Sequence, residues 1–159
     1  MPQIVNAQPH HIAQLLAKPL DPTTAASWTI SSGGRPIAEM LQQIAGLPSS
    51  YLRALLNDAN EAVVLWGAYE HPEGFGSFWA INTLEADQHR HFARTRWRDE
   101  VTKMHRLFGR LGTTCYNRNE MHLRWLLATG FKPIGEVRSE PHPVPFTVFV
   151  RELPACARQ

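Results

Sequence analysis

A chain of 159 residues that is 43% hydrophobic and 19% charged has the length and composition of one folded domain with a sizeable core, not of a disordered segment. Its formal net charge of +2 is too small to imply nucleic acid by itself. No apolar run approaches the roughly 20 residues that span a bilayer, and the opening MPQIVNAQPHH lacks the basic and apolar stretches of a secretory signal.

Residues 3–7 read as a short first strand. Pro9 stands where a helix can start, and Ile12, Leu15 and Leu16 form a helical stripe that stops by Pro19. Residues 21–34 are polar and give no clear element. From Arg35 onward, Ile37, Met40, Leu41 and Ile44 recur at helical spacing until Gly46 and Pro48.

The middle of the chain is β-rich. Residues 51–56, 62–69 and 75–82 are apolar runs separated by the turns NDANE and HPEG, a pattern that favours an antiparallel meander. Phe92, Trp97, Val101, Met104, Phe108 and Leu111 then keep a helical period, with Gly112 expected to end the helix. Residues 113–116 make a short strand. Asn117 or Asn119 caps a helix over 120–129, and Gly130 closes it. Residues 131–137 and 146–152 pair as closing strands around the Pro-rich connection SEPHPVP.

The order β-α-α-β-β-β-α-β-α-β-β describes an α+β domain over 1–153, with a mixed, mainly antiparallel sheet flanked by helices and a loose tail at 154–159. Within it, residues 90–110 carry seven Lys or Arg against two acids. Arg94, Arg96, Arg98, Lys103, Arg106 and Arg110 are therefore candidates for phosphate contact, against the plainer reading of a solvated helix face.

Few residues have the spacing of a catalytic or metal site. Cys115 and Cys156 make neither a disulfide framework nor a zinc site. His89 and His91, with Glu85 and Asp87 nearby, have a spacing that converges only on a strand, so no metal is expected. His10 and His11 read as solvated or helix-starting. Glu61 and Glu70 flank a strand and are base candidates only if an amine is bound nearby. Tyr116 and Cys115 read as opposite faces of a short strand, and no Ser-His-Asp or Cys-His arrangement is defensible from spacing.

The string NEMHLRWLLATGF, residues 119–131, is similar to the GNAT acyltransferase segment in which Asn opens the fourth helix and Gly-Phe closes it. More narrowly, FARTRWRDEVTKMHRLF, TTCYNRN and HLRWLLATGF resemble GNAT-like proteins encoded by tailed bacteriophages, among them a small internal or assembly protein of short-tailed phages. The resemblance implies a GNAT-like acyl-CoA N-acyltransferase fold.

It also implies two chemical features that are missing. The Gly-rich loop whose amides hold the coenzyme A pyrophosphate corresponds to NTLEADQHRHFARTR, and no glycine lies between Gly76 and Gly109. The Tyr expected four residues before the closing Gly is Leu126, which has no proton to give. Asn119 remains as a weak cofactor-binding candidate, and its capping role explains it without one. His122, on the face of Leu126, is the replacement acid–base candidate, with His105 behind it. Trp66, Trp79, Trp97 and Trp125 are expected to line or fill the groove where the acyl-CoA would lie.

The resemblance thus implies a phage-encoded, catalytically inactive GNAT-fold protein, internal or head–tail associated. It would have no cofactor, bind other virion proteins and contact packaged DNA. It would reside in the virion and, during assembly, in the host cytoplasm, with no membrane contact. The alternative is a divergent N-acetyltransferase using acetyl-CoA, and a third reading is a small DNA-binding or host-modulating module.

Overall fold

The computed structural model describes residues 1–138 and 142–152. The expected loose tail, Cys156 and part of the SEPHPVP connection lie outside these residues. The described chain contains strands β1 (Gln3–Asn6), β2 (Tyr51–Leu56), β3 (Ala62–Glu70), β4 (Gly76–Asn82), β5 (Arg110–Tyr116), β6 (Lys132–Val137) and β7 (Phe146–Glu152). Its helices are α1 (Pro9–Leu16), α2 (Pro22–Ser31), α3 (Ile37–Ala45), α4 (Arg90–Phe108) and α5 (Glu120–Ala128), with a 3₁₀ turn at Leu84–His89.

The strands form one sheet in the order β1-β2-β3-β4-β5-β7-β6. All neighbours are antiparallel except β4 and β5, which are parallel. The expected meander is therefore present as β2-β3-β4, joined by the turns at Asn57–Glu61 (Asn57 N–H to Glu61 O, 2.9 Å) and His71–Phe75 (His71 N–H to Phe75 O, 2.7 Å). The closing strands pair as expected, but β7 lies between β5 and β6.

Two elements differ from the sequence expectation. The polar stretch after Asp21 forms helix α2. Asp21 Oδ1 accepts the Thr24 N–H at 3.0 Å and Pro22 occupies the first turn. The helix has little amphipathic pattern because one residue anchors it: buried Trp28 donates its indole N–H to Ala80 O at 3.0 Å. The long helix ends at Gly109, not Gly112. Gly109 takes φ 72°, donating to His105 O at 2.8 Å, and Leu111 belongs to β5.

Helices cover both faces of the sheet. On one face α4 and α5 pack Trp97, Val101, Met104 and Leu126 against Leu55, Trp66, Phe78, Phe131 and Phe149. On the other, α1, α2 and α3 pack Ile12, Leu15, Trp28 and Leu41 against Leu65, Trp79 and Ile81. Strand β3 is buried from Ala62 to Ala68, which is why its sequence is a continuous apolar run rather than an alternating one. Between β2 and α4, Arg53 grips the 3%-exposed Glu100 with two hydrogen bonds of 2.9 and 3.1 Å. Burial raises the Glu100 carboxyl pKa, but the bonds from Arg53 and Lys103 outweigh it and hold it below the ordinary range.

A Cβ placed on Gly67 would stand 2.0 Å from the Tyr51 carbonyl oxygen, which is backbone and cannot rotate away. Gly67→Ala is expected to cost about 2 kcal/mol or more in urea unfolding. Gly135→Ala, with nothing within 4 Å of the new Cβ, is expected to stay within about 0.5 kcal/mol. Equal stabilities for the two variants would contradict this packing.

Candidate functional site

The parallel strands β4 and β5 pair only at Gly76–Leu111 and Ser77–Gly112. Beyond these pairs Thr113 Oγ1 donates to Phe78 O at 2.9 Å, and the strands then diverge. Two cavities meet at the opening. One, of about 520 Å³, lies on the α2–α3 side and is lined by Trp28, Tyr69, Phe75, Trp79, Tyr116 and Val148 among others. The other, of about 430 Å³, lies on the α4–α5 side, with Leu55, Trp66, Trp97, Met121 and Trp125 in its wall. Asn82, Asn119 and His122 border both.

The tryptophans wall this groove but do not fill it, contrary to the expectation that they could turn it into packed core. Trp66 and Trp97 meet edge-on at 5.8 Å, Trp97 contacts Trp125 at 5.6 Å, and the space beside them stays open.

Asn119 caps α5 by accepting the His122 N–H at 3.3 Å. The His122 ring lies nearly parallel to Phe78 at 6.3 Å, and desolvation pushes its pKa down to about 4. The ring is therefore neutral at physiological pH. It can form hydrogen bonds there but has no stored proton for a leaving group. Leu126 is fully buried and borders neither cavity, so the position of the expected Tyr is closed off as well as chemically inert. Tyr116, read from sequence only as a strand residue, reaches the larger cavity beside Asn119 and His122, and Asn82 stands at the opening. Neither has a sequence signal, because the divergence of two strands that brings them there is a tertiary event.

The remaining candidates lie elsewhere. His105 is fully buried and ties α4 to β7: its Nε2 donates to Gly109 O at 3.0 Å, leaving Nδ1 to accept from Arg151. His11 accepts the Gln8 N–H at α1, and burial, then His10, lowers its pKa. Glu61 stands near Lys18 at 3.5 Å, while Glu70 ends β3; neither borders either of these two cavities. Cys115 is buried, with its thiol pushed up to about 12. Glu85 is held by Asn57 and Lys18 while Asp87 faces Arg90, so they do not converge with His89 and His91. Among the described residues no three His, Cys, Asp or Glu side chains form a metal cluster.

The connection from β4 to α4 decides what the smaller cavity can hold. Four of its backbone amides are already used, three of them within Thr83–Ala86: Thr83 N–H donates to Val63 O at 3.1 Å, Leu84 N–H to Pro19 O at 3.0 Å, and Ala86 N–H to Thr83 O at 3.2 Å. The 3₁₀ turn consumes the Arg90 N–H on Asp87 O. Asp21, Asp87, Glu100 and Glu120 border this cavity against Arg90 and Arg118. A pyrophosphate needs free, converging amides and a positive field. These residues do not fit one.

Compared with solved structures, the described chain superimposes along nearly its whole length on N-acetyltransferases. It matches the ribosomal-protein-S18-alanine N-acetyltransferase of Escherichia coli with a TM-score of 0.72 at 8% identity, covering 98% of this chain and 97% of that one. A GCN5-related N-acetyltransferase from Kribbella flavida gives 0.71 at 16% identity, covering 96% and 98%. The ribosomal-protein-S5-alanine acetyltransferase of Vibrio fischeri gives 0.66 at 13%, covering 95% and 92%. The fold is that of the GNAT acetyltransferases. At these identities the likeness establishes the fold alone. No protein-family model matches the chain, and no curated protein matches it in sequence.

Because His122 has a lower pKa folded than unfolded, protonation favours the unfolded chain. Its contribution is complete above the unfolded value near 6.5 and is lost as pH falls towards about 4. Between pH 7.5 and 5 the protein is expected to lose about 1–2 kcal/mol more than a His122→Leu variant. Parallel urea-unfolding profiles for the two proteins across that range would refute this.

Proposed function

We propose that this chain is a GNAT-fold protein that does not transfer acetyl groups from coenzyme A. In this reading it is a structural or assembly component of a tailed-phage particle, internal or head–tail associated, that binds other particle proteins. It is made in the host cytoplasm and ends in the virion. The observation that carries the non-catalytic half is the β4–α4 connection, where Thr83, Leu84 and Ala86 have spent the amides a pyrophosphate would need. The buried Leu126 supports the same reading, since it leaves the leaving thiolate without a proton donor at that position. The phage half rests on the sequence strings FARTRWRDEVTKMHRLF and HLRWLLATGF.

A second reading, a divergent acetyl-CoA-dependent N-acetyltransferase, is favoured by one observation. The groove between β4 and β5 is open, and Asn119 and His122 reach both cavities. Two of the structural neighbours are alanine N-acetyltransferases of ribosomal proteins, which makes an amine the acceptor class under this reading. Positioning the reactants can contribute much of such a rate without a dedicated acid.

Calorimetric titration of the full chain with acetyl-CoA separates the two. No saturable heat is expected up to millimolar ligand, whereas micromolar affinity would overturn the non-catalytic reading and favour the second. Mass spectrometry of purified particles of the encoding phage is expected to find the chain at a fixed copy number. Its absence from them would overturn the virion role.

A further inference from the structure

Charge is unevenly divided along this chain. Residues 87–128 carry nine Lys or Arg against four acids, and the rest carries seven against ten. A net charge of +2 therefore conceals a basic block consisting of α4, β5 and α5 joined to an acidic remainder.

Within the block the structure distinguishes cations with partners from those without. Arg90 faces Asp87, Lys103 faces Glu100, Arg110 faces Glu152 and Arg124 faces Glu120, at 3.6, 3.1, 3.1 and 4.0 Å. Arg94, Arg96, Arg98 and Arg106 are all exposed on α4, and among the described residues none of them has a carboxylate within ion-pair distance. Arg96 lies over the Phe92 ring at 5.7 Å and Arg98 donates to Ala128 O at 3.2 Å, so both are also partly ordered by the protein. The buried stripe Trp97, Glu100, Val101, Met104 and His105 faces the sheet, and the arginines spread round the exposed remainder of α4. Arg106 stands opposite the stripe, Arg96 on one flank, and Arg94 and Arg98 on the flank towards α5, with the exposed Asp99 among them as the one acid unpaired among the described residues of the helix. Arg110, grouped with them in the sequence, is the first residue of β5, borders the larger cavity and belongs to a different surface.

We infer that the outer face of α4 binds the phosphate backbone of duplex DNA without reading its sequence. The twelve residue steps from Arg94 to Arg106 extend about 18 Å along the helix, a length of duplex that presents about ten phosphates. An acidic protein partner fits less well. Protein interfaces depend on a buried apolar or aromatic anchor, and the large hydrophobic exposed on this helix is Leu107 alone among the described residues. Phosphate contact needs no such anchor. Of the other polar groups on this helix, the Thr95 hydroxyl is spent on Phe92 O at 2.7 Å and Lys103 is paired with Glu100 at 3.1 Å, so neither is free for a base edge. The inference does not depend on the non-catalytic reading, because the groove and this face are separate surfaces.

The test is fluorescence anisotropy of two labelled 30-base-pair duplexes of unrelated mixed sequence, titrated with the full chain between 50 and 200 mM salt. Both are expected to bind with equal affinity and a log K against log salt slope of about −3 to −4. The triple variant Arg94→Gln, Arg96→Gln, Arg106→Gln is expected to reduce the slope by about 3 while keeping the wild-type circular dichroism and melting temperature. The control triple Arg35→Gln, Lys132→Gln, Arg138→Gln, exposed outside the block, is expected to leave the slope unchanged. Failure to bind at 50 mM salt, equal losses in both triples, or equal binding of polyglutamate would overturn the inference.

Discussion

Strands β4 and β5 pair over two residues and then part, and the functional surface of this protein depends on that parting. A parallel pair continued to Asn82 and Tyr116 would close the sheet and separate its two faces. With the pair cut short, cavities on opposite faces meet at Asn82, Asn119 and His122. The rest of the fold supports this arrangement. The β2-β3-β4 meander provides a buried wall, β7 takes the far side of β5, and α5 is capped by Asn119 at the mouth of the opening.

The same architecture is put to use differently by its loops. A GNAT fold binds a nucleotide thioester when the β4–α4 connection leaves its amides free, and here those of Thr83, Leu84 and Ala86 are drawn into the protein. The Leu20–Thr83 bridge and the Leu84–Pro19 hydrogen bond fasten the connection to the segment between α1 and α2. Glu85 is turned away into a contact with Asn57 at 2.7 Å and Lys18 at 3.0 Å, and those hydrogen bonds, Asn57 first, hold its carboxyl below the ordinary range. These bonds fasten the connection to the rest of the domain. The fold class therefore says little about the activity, and individual hydrogen bonds in one connection say more.

Much of the architecture was legible because it is written in local patterns. Apolar runs separated by NDANE and HPEG marked the meander, and Asn119 and Gly130 marked both ends of α5. Helix α2 carries no helical stripe because its inward anchor is Trp28, held by a tertiary bond to Ala80 O, and Asp21-Pro22 is its one start signal in the sequence. The end of α4 is obscured in the sequence because Leu111 continues the helical period by coincidence, while Gly109 supplies the left-handed stop. The missing glycines and Leu126 were plain in the sequence. That the groove would stay open was not, since it depends on how Trp66, Trp97 and Trp125 pack on one face of the sheet and Trp28 and Trp79 on the other. Nor could sequence say which arginines of the basic run lacked carboxylate partners.

Everything said of the β4–α4 connection depends on the amides of Thr83, Leu84 and Ala86 being bonded within the protein. Amide hydrogen exchange followed by NMR measures this directly at Thr83, Leu84 and Ala86. Slow exchange is expected at all three, with rates and chemical shifts unchanged when millimolar coenzyme A is added. Fast exchange in the free protein, or protection that appears only with coenzyme A, would mean that the connection is a phosphate cradle after all.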